Sequence, residues 1–143
     1  MKSLVLKRFA QGRFCDVEVF EDGIGEARAF GTALKAKYPG QLVGFFSAPA
    51  LICQRTARVA ANAMGRAGSP EVLEALGRRG AFVDYMQGTG RHLPEDVDVA
   101  VCITNPDVMG RYQLSFGDVN TDTSLREPHS ALIINFSHDR WVG

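Results

Sequence analysis

The run VDVAVCITNP, Val97 to Pro106, is the strongest strand signal in this chain. Val97, Val99, Val101 and Ile103 alternate onto one face, and Asp98, Ala100 and Cys102 onto the other. After it, RYQLSFG (111–117) alternates cleanly and SALIINFS (130–137) closes the chain with another strand. Before it, the pattern is mostly helical. DGIGEARAFGTALKAKYPG (22–40) places Ala27, Phe30, Leu34 and Tyr38 in one apolar stripe, stopped by Pro39 and Gly40. APALICQRTARVAANAMGRAG (48–68) is Ala-rich with a Pro near its first turn. Ile52, Thr56, Val59, Ala60 and Ala63 would form its smooth, close-packing face, with Arg55, Arg58, Asn62 and Arg66 on a second stripe.

SPEVLEALGRRG (69–80) reads as a further short helix with Ser69 as N-cap and Pro70 at its first position. QLVGFFSA (41–48) is a continuous apolar run suited to a central strand. SLVLKRF (3–9) and RFCDVEVFE (13–21) read as an opening hairpin, and AFVDYMQ (81–87) as a helix continuation or a strand, the strand favoured because Gly77 and Gly80 weaken the helix. Helices thus gather in the first half and strands in the second. The expected fold is α+β: a mixed, mainly antiparallel sheet with two or three helices packed on one face, in a single domain, 1–143.

Composition narrows the function classes. At 143 residues, 45% hydrophobic and 22% charged, the chain can bury its own core. Lys plus Arg equals Asp plus Glu, 16 each. That balance argues against general nucleic-acid binding and leaves little charge repulsion against self-association. Cys15, Cys53 and Cys102 are widely spaced and lie in apolar runs, the pattern of free thiols in a reducing compartment. No apolar run is long enough for a signal peptide or a membrane span. The expectation is a cytoplasmic protein, no membrane partner, and a homo-oligomer.

Several motifs fail on inspection. VEVFEDGIGEARAFG (17–31) has G-x-G between a strand and a helix, but Arg28 stands where a dinucleotide fingerprint needs its third Gly. GDVNTDTSLREPH (117–129) has alternating Asp and Asn, but Thr123 replaces the Gly of a calcium loop and His129 its bidentate Glu. Neither a metal site nor a cofactor is expected.

Three places could meet a ligand. Ser47 lies between a buried strand and a helix start, where it would cap the helix or help hold an anion, with Arg55 the nearest assisting cation. The loop QGTGRHLPED (87–96) offers Arg91 and His92. The closing stretch carries His129 and His138. Nine residues apart on one unbroken strand, they would point to opposite faces about 30 Å apart, so within one subunit they cannot share one metal; they would mark two sites, one site completed across a subunit interface, or none. His129 has the better company: Asp122, Arg126 and Glu127. A carboxylate beside an imidazole orients it for proton transfer, and Arg126 or Arg91 would hold an anionic group.

Two functions follow from this pattern. One is a small cytoplasmic enzyme using acid–base chemistry at His129, with Glu127 or Asp122, on a small polar anionic metabolite. The other is a non-catalytic ligand-binding or homo-oligomeric assembly module.

Overall fold

The computed structural model describes residues 3–10, 20–66, 70–77, 97–106, 108–110, 121–122, 124–125, 129 and 131–135. In chain order these form β1 (Ser3–Arg8), α1 (Phe20–Lys37), β2 (Val43–Ser47), α2 (Leu51–Ala63), β3 (Glu71–Val72), a 3-10 turn (Glu74–Gly77), β4 (Val99–Thr104), β5 (Thr121–Asp122) and β6 (Ala131–Asn135). One six-stranded sheet has the order β3-β2-β4-β1-β6-β5.

The expected mainly antiparallel sheet is corrected. β1–β4, β2–β4 and β2–β3 are parallel, and only β1–β6 and β5–β6 are antiparallel. The cause is connectivity. β1 and β2 are each followed by a helix, which carries the chain back before the next strand begins, so the strands must align. The first half is therefore a βαβαβ alternation, and the expected α+β segregation gives way to an α/β arrangement with an antiparallel edge.

The expected hairpin partner of β1 is also corrected. Both edges of β1 are occupied, Val5 standing between Val101 of β4 and Ile133 of β6. Most of the second expected strand, 13–21, lies outside the described residues, and its last two positions open α1. The helix expected from Pro70 is replaced by a two-residue strand and a 3-10 turn. The open edge of β2 pairs Phe46 with Glu71 and Ser47 with Val72, and this pairing overrides the local helix signal. The strands expected over 81–87 and 111–117, Cys15 and the loop 87–96 lie outside the described residues.

Parallel strands are buried on both faces, and the burial shows it. Leu4, Val5, Leu6, Val101, Cys102, Ile103 and Ile133 are all fully buried. In α1 the stripe Ala27, Phe30, Leu34 and Tyr38 is buried as the spacing predicts. Gly40, at φ 73°, provides the left-handed stop just beyond. In α2 the buried residues are Cys53, Thr56, Ala57, Ala60 and Ala61, so the packed stripe is rotated from the expected one. Its smooth surface is used within the chain. A Cβ on Gly31 of α1 would lie 2.2 Å from the Ala60 carbonyl oxygen, so only glycine lets the helices approach this closely. Among the described residues, no helix is long and apolar enough to cross a membrane.

Candidate functional site at the carboxyl edge of the parallel strands

β1 and β4 are neighbours whose onward connections run in opposite directions, β1 past β4 to β2, and β4 past β1 to β6 and β5. Ligands of open parallel sheets bind outside the carboxyl ends of the strands at such a switch. Here the strand ends are Arg8–Phe9, Ser47–Ala48 and Thr104–Asn105. Backbone bonds from Phe9 to the Thr104 carbonyl (3.0 Å) and from Ala48 to the Ile103 carbonyl (2.9 Å) carry the three strand ends together.

A cavity of about 260 Å³ opens there, lined by Phe9, Ala48, Pro49, Ala50, Cys53, Glu74, Gly77 and Asn105. Its walls are mostly apolar. The Asn105 side-chain oxygen accepts a bond from the Val108 backbone N–H at 2.9 Å, capping the turn that follows β4. Burial pushes the Cys53 thiol up to about 11, so at neutral pH it is a protonated, inert sulfur. Thr104 donates its hydroxyl to the Leu76 carbonyl, tying the 3-10 turn to β4.

On the α1 side of the same edge lies a charged cluster. Strand alternation turns Lys7 to the same face as Val5, beneath α1, and leaves it fully buried. Its ammonium donates to the His129 backbone carbonyl at 2.7 Å and stands 5.1 Å from the centroid of the Phe30 ring. It lies 3.5 Å from Oε1 of Glu26, and the Arg8 guanidinium lies 3.5 Å from the same oxygen. Burial lowers the Lys7 pKa, and Glu26 partly restores it. His129 sits with its ring 6.1 Å from that of Phe30. Burial lowers its pKa, the Lys7 charge lowers it further, and Glu26 opposes both. Its imidazole is therefore the neutral form at neutral pH.

The sequence candidates are distributed as follows. His129 stands in this cluster, but the described carboxylate beside it is Glu26. Asp122 is in β5 with its backbone opposite Ile133. Arg126, Glu127, Arg91, His92 and His138 lie outside the described residues. Ser47 is the last residue of β2, fully buried, and its hydroxyl has no partner among the described residues. The helix start expected at Ser47 falls instead at Ala50, so Ser47 is not the N-cap. Through the shared register Ser47–Ile103–Lys7 it stands two strands from Lys7, about 10 Å by strand spacing. Arg55 is half-buried on α2. Lys7, Arg8 and Glu26 were absent from the sequence candidates. The available signal was a lysine on the inward-facing alternation of an apolar run, SLVLKRF. A charge there needs a buried partner.

A second cavity, about 530 Å³, lies at the opposite edge, where Tyr38, Leu42, Met64 and Arg66 meet. Arg66 donates there to the Gln41 carbonyl at 2.9 Å. No group of three or more His, Cys, Asp or Glu side chains suited to a metal ion occurs among the described residues.

No family model and no curated protein matches the chain. Solved structures do. A protein from Agrobacterium tumefaciens, assigned as the phosphohistidine phosphatase SixA, is 15% identical with a TM-score of 0.64, over 99% of this chain and 93% of that one. The protein histidine phosphatase SixA complexed with tungstate is 18% identical with a TM-score of 0.60, over 79% and 74%. A phosphoglycerate mutase from Plasmodium falciparum is 12% identical with a TM-score of 0.61, over 99% and 94%. At these identities the likeness is one of architecture, and this chain shares the fold of these phosphatase and mutase structures.

Proposed function

We propose that this chain recognises a small phosphorylated anion at the carboxyl edge of its parallel strands. One observation carries the reading: adjacent cations, Lys7 and Arg8, end β1 at the switch point and share a single Glu26 oxygen. Arg8 keeps part of its side chain accessible there, so a ligand can reach a guanidinium, which matches the geometry of phosphate oxygens. The place is half-sheltered from water, where an anionic group gains most from such charge. The neighbouring structures support the ligand class, since one of them holds tungstate, a tetrahedral oxyanion like phosphate. The apolar walls of the adjoining cavity suit the uncharged part of such a ligand.

A thermal-shift screen against phosphorylated metabolites tests this. Stabilisation of the wild type that disappears in Arg8→Gln is the expected result. Equal stabilisation of both proteins would remove Arg8 from the site.

A second reading, a small enzyme acting on that anion, rests on the neutral imidazole of His129. A neutral imidazole at neutral pH can accept a proton. In that reading Glu127 or Asp122 orients it, while Arg126, Arg91, Ser47 and Arg55 complete the substrate contacts. Binding is the better supported of the two. Phosphoryl transfer to the protein needs an activated nucleophile. Among the described residues lining the cavity, the Cys53 thiol is held protonated, which leaves the neutral His129 imidazole of the neighbouring cluster to carry that role. Phosphate release from the ligands found in the screen, lost in His129→Ala while binding persists, would establish the enzyme reading.

A further inference from the structure

We propose that Glu26 is a built-in competitor of the ligand's anionic group at Arg8, and so sets how strongly anionic that ligand must be. The inference rests on the anion-recognition reading above and adds a residue to it. The Glu26 carboxylate reaches up from α1, and one of its oxygens lies 3.5 Å from both the Lys7 ammonium and the Arg8 guanidinium. Tight charge-assisted bonds are shorter, about 2.7–2.9 Å. Glu26 therefore stands between two cations without closing on either.

The two cations differ in what they can give up. Lys7 is fully buried and keeps its bond to the His129 carbonyl and its place over the Phe30 ring. Arg8 is partly exposed, with 19% of its side chain accessible, so it is the cation a ligand can reach. Glu26 is similarly placed, with 21% of its side chain accessible. A ligand carboxylate would only exchange one carboxylate for another at Arg8. A phosphate dianion brings more charge and more acceptor oxygens, and can displace Glu26 where a monoanion cannot. Glu26 thereby acts as a specificity-determining residue that keeps weak anions off the site.

The test is calorimetric titration of inorganic phosphate at low salt and pH 8, where the dianion predominates. Wild type, Glu26→Gln, Arg8→Gln and the Arg8→Gln/Glu26→Gln double variant are compared. Removing the competing charge is expected to tighten phosphate binding roughly tenfold, an effect weakened by added salt. The double variant should lose the gain. If Glu26→Gln unsettles the buried Lys7, the same comparison is made between Lys7→Met and Lys7→Met/Glu26→Gln, where no buried ammonium remains. The same tightening is expected there. Phosphate binding to wild type that is unchanged or weakened in Glu26→Gln overturns the role of Glu26 and leaves anion recognition standing. A gain that survives in the double variant overturns the competition at Arg8. Absence of phosphate binding in every protein, Glu26→Gln included, overturns both.

Discussion

The two edges of the parallel sheet use polar groups in opposite ways. At the amino edge each bond closes the fold. The Ser3 hydroxyl meets the Asn135 side-chain oxygen at 2.7 Å, Asp98 accepts from the Leu42 N–H at 3.0 Å, and Arg66 reaches the Gln41 carbonyl at 2.9 Å. Each joins segments far apart in the chain. At the carboxyl edge two cations share one carboxylate oxygen at 3.5 Å, and the Ser47 hydroxyl is buried with no partner among the described residues. The amino edge is arranged for stability. The carboxyl edge gathers a charged cluster and a buried hydroxyl in one place instead.

The comparison depends on a frame common to both edges, and Gly31 is where that frame breaks. In Gly31→Ala the new Cβ meets the Ala60 carbonyl, forcing α1 and α2 apart. Even after the roughly 1 kcal/mol that Ala gains over Gly in a helix, a net loss of about 2–3 kcal/mol is expected in urea unfolding. Both edges should suffer together.

Glu26→Ala separates the edges. It leaves the buried Lys7 ammonium with only the His129 carbonyl and the Phe30 ring among its described partners. A tight buried pair would lose 3–5 kcal/mol; at 3.5 Å and with Glu26 partly exposed, about 1–2 kcal/mol is expected. Lys7→Met in the same background should recover most of it, because the charge itself is removed. No recovery would mean that the cluster contributes through packing.

Asp98→Ala tests the amino edge. The Leu42 N–H loses its acceptor there, and a loss of about 1 kcal/mol is expected, with phosphate binding untouched. A change in phosphate binding would show that the two edges are coupled.

The smallest effect is in pH. The folded-state pKa of His129 lies below its unfolded value of 6.5, so the unfolded chain takes up the proton first. Stability from this group is present above 6.5 and is lost as pH falls from there through the lower folded value. The melting temperature of the wild type should therefore fall more between pH 8 and pH 5 than that of His129→Gln. Parallel curves would place His129 in water.

Much of the frame was legible from local pattern. The strand signals of β1, β4 and β6 and the stripe of α1 are short-range, and the structure keeps them. Strand order and direction were not legible, because a parallel pair such as Val5 and Val101 leaves no turn between its strands to read. Local signals also misled at Ser69–Pro70, where the open edge of β2 drew Glu71 and Val72 into the sheet. His129 was readable as a candidate by its residue type. Lys7 was readable as an anomaly, a charge inside an apolar run. Its partner Glu26 was not, since only the crossover of α1 brings helix and strand together.

The place of β1 between β4 and β6 has a consequence in time. β1 finds both neighbours only far along the chain, at Val99–Thr104 and Ala131–Asn135. Until β6 has been made, β1 has no partner on one side, and its apolar residues lie open to stray pairing. Contacts of such long sequence separation slow folding and expose intermediates to aggregation. Closure of the sheet around β1 therefore waits on β6, the most distant of its partners in sequence.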